Sequence, residues 1–254
     1  MNGSYSNDGY FYSTQKLCGG ERGLHFHDSY ELIYSEQGNV KVKVNKTQEL
    51  LSAGELILIP PYTAHGYMVD GEAVGWLIRF SPDFIESFAK KHSNSYFSKC
   101  SLEPQIEKIL AKYLFSLEQA EHYMVTSCLY MVCNECEKNA DERLQNAGAE
   151  FRGQVIEYVT QNIGREISMR ELSEELGYEY HYLSFLFNDC FGMNFKSFIN
   201  ALRYEVACHL LKDKEKDITH ISDECGFGSV RSFNRIFKQM SGTTPREYRQ
   251  SIKQ

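Results

Sequence analysis

The chain has 254 residues, 42% of them apolar, with 27 basic and 34 acidic side chains and a formal net charge of −7. That length and apolar content allow a sizeable core and more than one domain. No apolar run is long enough to cross a membrane, and the opening MNGSYSNDGYFYS lacks the basic start and apolar middle of a secretory leader, so the expected compartment is the cytoplasm, with no membrane partner.

Residues 10–80 read as strands and turns. Val40, Val42 and Val44 alternate with Lys41 and Lys43, the period of a half-buried strand. Glu55–Pro60 and Val74–Phe80 are short apolar runs, and Gly38, Gly54, Gly66 and Gly71 punctuate them. Strands at this spacing suggest a sandwich or small barrel.

From Leu102 the period becomes helical. Ile106, Ile109, Leu110, Tyr113, Leu114 and Leu117 form one stripe, and Met124, Cys128, Met131 and Val132 form the expected apolar face of the next helix. The polar stretch KNADERLQNAGAE follows as the linker candidate. The predicted divisions are 1–100, 101–140, a linker at 141–150, and an all-helical domain at 151–254. Residues 1–149 carry 13 basic and 19 acidic side chains, and residues 150–254 carry 14 and 15. The second half is therefore near neutral, which counts against nucleic-acid binding, for which a strongly basic domain is the usual footprint, and predicts modest, salt-sensitive non-specific binding.

Eight cysteines are scattered through the chain. Cys133-x-x-Cys136 has no second pair and lies inside a helical pattern, so packing is expected rather than zinc or redox chemistry.

The last hundred residues contain a repeat. Ser168 and Glu171 make a capping box before Leu172 and Leu176, Gly177 supplies a turn, and a second helix from about Glu179 to Cys190 turns Leu183, Leu186 and Phe187 inward. Ile221, Cys225, Gly226, Phe233, Ile236 and Phe237 repeat this frame, and a helix bearing Phe195, Phe198, Ile199, Leu202, Val206 and Leu210 joins the copies. Short helix, glycine turn and second helix make a helix-turn-helix. On the frame alone a plain helical bundle is the better reading. The cations Arg231, Arg235, Lys238, Arg246 and Arg249, opposed within Ser229–Arg249 only by Glu247, favour DNA.

The segments LSEELGYEYHYLSFLFNDCFGMNFKSFINALRYEVACHLL and ISDECGFGSVRSFNRIFKQMSGTTPREYR resemble the AraC/XylS family of transcription regulators, over roughly Phe151 to Ser251. The resemblance implies sequence-specific binding of double-stranded promoter DNA by two reading helices, in grooves about 34 Å apart. Carried over by position, the second helix offers Val230, Arg231, Asn234, Arg235 and Lys238. The first offers Tyr180, His181, Ser184, Phe185 and Asn188, and Arg246 and Arg249 are placed to hold phosphate. Phe185 and Asn188 depart from the family, which commonly has a basic residue and Lys there.

In the first half, His25-x-His27, Glu31 and Gly38, then Gly54, Pro60 and His65, resemble the double motif of cupins and the sensor half of many AraC-type regulators. Tyr62 and Val69 depart from it, standing where Gly and Asn are usual. The motif implies either a three-histidine, one-carboxylate metal site or a hydrogen-bonded pair without metal. The residues expected to line a ligand pocket are His25, His27, Glu31, Tyr34, His65, Tyr67, Trp76 and Arg79, and a polar effector such as a sugar would suit them. No metal, cofactor or catalytic residue is assigned.

The expected fold is α+β: an N-terminal cupin-like β-barrel for sensing, helices at 101–140 that pair two protomers or pack on the barrel, and an all-α double helix-turn-helix. The expected function is transcription regulation in response to a small molecule, with DNA, the effector, a second protomer and RNA polymerase as partners. The alternatives are a metal-dependent cupin enzyme with a helical tail, and a protein-binding module without DNA affinity.

Overall fold

The computed structural model describes residues 2–7, 10–92, 97–117, 121–139 and 149–251, so most of the expected linker at 141–150 lies outside the described residues. The chain divides into two compact units, Met1–Glu150 and Phe151–Gln254.

The first unit is an antiparallel sheet of β1 (Asn2–Asn7), β2 (Tyr10–His25), β3 (Tyr30–Gln37), β4 (Val40–Val44), β5 (Thr47–Leu51), β6 (Glu55–Ile59), β7 (His65–Phe80) and β8 (Cys100–Ser101). The strand order is β1-β2-β7-β3-β6-β8, with β4 pairing both β5 and β7. Strand β7 curls the sheet into a half-barrel. Its first residues, His65–Val69, pair with β4, its last, Val74–Phe80, pair with β3, and β2 follows it on the other side. A strand shared between two neighbours must bend, and the register with β3 slips at Ser35/Gln37, a bulge.

Side-chain alternation along these strands feeds two cores. Ile33, Ile57, Ile59 and Leu77 point inward with Val40, Val42, Val44 and Val69. Leu32, Tyr34, Leu56, Leu58, Trp76 and Ile78 point outward beneath three helices, α1 (Glu86–Lys91), α2 (Pro104–Tyr113) and α3 (His122–Lys138). This double burial explains the continuous apolar runs in β6 and β7.

The expected α2 stripe splits. Leu110 and Leu114 are fully buried against the sheet, whereas Ile109 and Leu117 are about two-fifths exposed. In α3 the buried column is Val125, Cys128, Leu129, Val132, Cys133 and Cys136, and Met124, expected inside, is exposed. Cys128 and Val132 hold their expected places, and the buried face is turned from Met124 and Met131 toward Val125, Leu129 and Cys133. Cys133 and Cys136 are packed core residues, and burial pushes the Cys133 thiol far above its usual range.

The second unit is all helical: α4 (Ala149–Gln161), α5 (Met169–Leu176), α6 (Tyr180–Phe191), α7 (Phe195–Leu210), α8 (Ile218–Glu224), α9 (Val230–Ser241) and α10 (Pro245–Ser251). Side-chain caps start five of them: Ser168 for α5, Glu179 for α6, Asn194 for α7, Asp217 for α8 and Ser229 for α9. Each reading-helix unit builds its core on one part of α7. Phe187 and Phe191 meet Phe198 with ring centroids 5.4 and 4.4 Å apart. Ala207 and Cys208 pack with Ile221, Cys225, Phe233 and Phe237. Arg203, midway along α7, donates from Nη2 to the Arg165 carbonyl at 2.6 Å and from Nε to the Ile163 carbonyl at 3.2 Å. It thereby fixes the loop between α4 and α5.

Candidate functional site

Helix α9 is the more strongly charged candidate for reading DNA. Ser229 Oγ accepts from the Ser232 amide at 3.2 Å, which fixes where the helix starts. Phe233, Ile236 and Phe237 then turn to the core, and the helical period places Arg231, Asn234, Arg235 and Lys238 on the exposed side. Arg231 and Arg235 have no ion-pair partner among the described residues. A guanidinium left open in this way can fork onto guanine O6 and N7, and Asn234 onto adenine. Val230 is half-buried at the first turn.

Helix α6 has the same construction, with Leu183 and Phe187 inside and Tyr180, His181, Phe185 and Asn188 exposed, while Ser184 is half-buried. The phosphate role expected of Arg246 and Arg249 meets a different arrangement. Glu247 accepts from the Thr244 amide at 2.7 Å, so a carboxylate already occupies the start of α10. Arg249 lies in the last turn with Nε and Nη2 buried. Arg246 alone of the two is exposed.

In the first unit, His25 ends β2 and His65 begins β7, as register partners. Glu31 in β3 stands opposite Arg79 in β7. One ligand atom from each of His25, His27, Glu31 and His65 lies within 4.8 Å of the others. His27, His65 and Glu31 are at most 1% exposed. Tyr62, at the motif's usual glycine, keeps the left-handed backbone with φ 59°. Its amide donates to the His27 carbonyl at 2.8 Å.

All three rings are held the same way. Nδ1 of His25, His27 and His65 donates to the carbonyls of Gly23, Ser29 and Thr63 at 3.0, 2.9 and 2.7 Å. A carbonyl only accepts, so Nδ1 of each ring carries a proton, and Nε2 of His27 and His65 is the nitrogen turned to Glu31.

His27 Nε2 is 3.0 Å from Glu31 Oε2, and His65 Nε2 is 3.2 Å from Oε1 without hydrogen-bond alignment. Burial first, then Arg79, lowers His27 to about 4, and burial with His65 lowers His25 to about 2. Burial pushes Glu31 up, but its histidine neighbours outweigh that and hold the carboxyl well below its usual range. Three imidazole nitrogens and a carboxylate therefore converge in one buried place, with a hydrogen bond from His27 Nε2 to Glu31 Oε2 joining two of them. That donor set fits a divalent transition ion, with the backbone carbonyls as the outer layer that orients imidazole ligands.

Arg79 Nη2 donates to Ser29 Oγ at 3.0 Å and its guanidinium lies 5.5 Å from the Phe11 ring centre. Tyr67 is half-buried beside the inner core. Tyr34 and Trp76 do not join this group. Tyr34 donates to Glu107 of α2 and stacks on Phe115 at 4.1 Å. Trp76 donates to Glu36 at 2.9 Å under Lys16. Both sit one residue out of phase with the inward positions and face the helices, so strand alternation removes them from a pocket shared with the histidines.

Residues 15–156 match the model of the AraC-like ligand binding domain, and residues 172–251 match that of a helix-turn-helix domain. An uncharacterised HTH-type transcriptional regulator of Staphylococcus aureus MSSA476 is 36% identical over 96 residues, which are 38% of this chain and 13% of that protein. The chain thus matches about an eighth of the length of that relative. The probable transcriptional regulator LumQ of Photobacterium leiognathi is 21% identical over 88% of this chain and 90% of its own length. Among solved structures, ToxT of Vibrio cholerae O395 is similar in fold, with a TM-score of 0.64 at 17% identity, covering 94% of this chain and 96% of ToxT. With a ligand-binding model matching more than half its length, the chain belongs to the AraC family of transcriptional regulators.

Proposed function

We propose that the protein is a transcriptional regulator that binds double-stranded promoter DNA through α6 and α9 and answers to a small molecule held by its sheet domain. The observation that carries this is the exposed row Arg231, Asn234, Arg235 and Lys238 on a capped helix whose other side is fully buried. Family membership sets aside the alternative of a metal-dependent cupin enzyme. No helix among the described residues is long and apolar enough to cross a membrane; we place the protein in the cytoplasm.

The domain roles follow the same reading: sensing at 1–100, protomer pairing at 101–140, DNA binding at 151–254. We assign the effector to His25, His27, Glu31, His65, Tyr67 and Arg79. A sugar remains the proposed effector class, with hydroxyl groups meeting these polar atoms and Tyr67 as the available ring. Exposed Ile109, Leu117, Tyr123, Met124 and Tyr130 support homodimerisation through α2 and α3. RNA polymerase is the proposed partner of the DNA-bound form. Fluorescence anisotropy with a selected duplex tests the core of this. Wild type should bind with loss of affinity on Arg235→Ala, and equal affinity for the variant would refute the assigned face.

A second reading concerns the sensor's input. The convergence of His25, His27, His65 and Glu31, with Nε2 of His25 and His65 and Oε1 of Glu31 buried and without hydrogen-bond partners, favours a divalent transition ion held by these four residues. Such an ion would supply a Lewis-acidic point of attachment for an effector hydroxyl or carboxylate. Metal analysis after purification in trace zinc, iron, nickel and manganese should give one equivalent, lost on His27→Ala. Equal metal in both proteins, or none in either, would remove this reading.

A further inference from the structure

Helices α6 and α9 align at an offset of fifty residues. Leu183 and Phe187 match Phe233 and Phe237, all fully buried, and Gly192 and Gly242 close the helices at φ 65° and 78°. In that register the three cations of α9 have no counterparts. His181 stands for Arg231, Phe185 for Arg235 and Asn188 for Lys238. No Lys or Arg occurs between Tyr180 and Phe191, while Glu179 caps the helix and Asp189 lies within it.

What α6 presents instead is aromatic. Phe185 is 67% exposed, Tyr182 54% and Tyr180 43%. Asn188 Nδ2 donates to the Ser184 carbonyl at 2.8 Å, which turns its amide toward its own helix. Helix α6 itself supplies neither a guanine fork nor a phosphate cation; the nearest exposed cation is Lys196 of α7, which lines one cleft with Tyr180, Ser184 and Asn188. The apolar feature of the major groove is the thymine C5-methyl group. The rings are interrupted by His181, Ser184 and Asn188, so the face matches a groove floor of mixed character better than a continuous protein interface.

We propose that α6 reads thymine methyl groups, with Phe185 as its specificity-determining residue. The half-site under α6 is then thymine-rich and recognised by apolar contact, whereas the half under α9 is recognised by charge. This deepens the DNA-binding reading and rests on it.

The test selects duplexes from a random library with the full-length protein. The selected sequence is then rebuilt with deoxyuridine for thymine in one half at a time, which removes the methyl and keeps base pairing. Uracil in the α6 half should weaken wild-type binding about fourfold per methyl lost, the equivalent of about 0.8 kcal/mol each. Phe185→Ala should bind the thymine duplex with the same loss and show no further loss with uracil. Phe185→Leu, which keeps an apolar contact, should retain part of the discrimination. Equal affinity for thymine and uracil duplexes would overturn the proposal, as would an undiminished uracil penalty in Phe185→Ala. So would a Phe185→Ala protein that binds DNA normally but fails to activate purified RNA polymerase, since α6 would then meet a protein. Failure of the DNA-binding reading itself looks different: no duplex is enriched, and Arg235→Ala changes nothing.

Discussion

A Cβ on Gly226 would fall 2.4 Å from the carbonyl oxygen of Ile163, and Gly226 holds φ +74°. The turn that opens the second reading unit therefore packs directly on the loop that Arg203 fixes. Gly177, its counterpart in the first unit, has φ +70° but open space around it. The two glycines are needed for different reasons. Gly226→Ala should cost about 3 kcal/mol or more, combining backbone strain with overlap. Gly177→Asn should cost under about 1 kcal/mol, because Asn tolerates the left-handed region. Urea unfolding of the two variants measures this, and equal losses would contradict the difference in packing.

Charge on α9 should separate into two kinds. Arg235→Ala should lose about 1–3 kcal/mol on the preferred duplex and relax one base position. Lys238→Ala should weaken all duplexes alike and reduce the salt slope by about 0.9. Binding isotherms across a salt series distinguish them.

The metal-free sheet unit should lose stability on mild acidification. His27 is lowered from its usual 6.5 to about 4 and His25 to about 2, both by burial first. Between pH 6.5 and 4 the unfolded chain holds protons that the folded chain does not, so unfolding is favoured as pH falls. The stabilisation is complete above pH 6.5 and declines by about 1.4 kcal/mol per pH unit for each histidine in that window. Glu31, held well below its usual range, extends the decline at lower pH. Thermal melts at pH 7.5 and 5.0 test this. Replacing His27 with Gln should flatten the profile.

Cysteine labelling should be selective. Cys18 is exposed and the other seven cysteines are buried. Alkylation of the native protein should therefore modify Cys18 first, with mass spectrometry as the readout. Early modification of Cys133 or Cys136 would contradict their packed state.

Much of this architecture was readable because period and caps agree. Ser168 with Glu171 and Ser229 announce their helices, and Val40–Val42–Val44 announces its strand. Tyr34 lies three residues from Glu31 and Trp76 three from Arg79, so the odd spacing already turns them to opposite faces of β3 and β7, a signal that the aromatic character of the two residues masked. Other features depended on tertiary placement. In α3 apolar residues occur on both sides of the helix, so periodicity did not separate the buried Val125 and Leu129 from the exposed Met124. Arg249 read as a surface cation, yet the position of α10 partly buries its guanidinium. The histidine motif gave the correct cluster, but the shared Nδ1 contacts required coordinates.

Binding of DNA by α6 and α9 would set two unlike rows of side chains against successive grooves. The most direct measurement is selection of bound fragments from the source organism's genomic DNA by the full-length protein, followed by sequencing. Enrichment of short segments with two different half-sites about one helical turn apart is the predicted result. Recovery no better than for a protein carrying both Arg231→Ala and Arg235→Ala would contradict it.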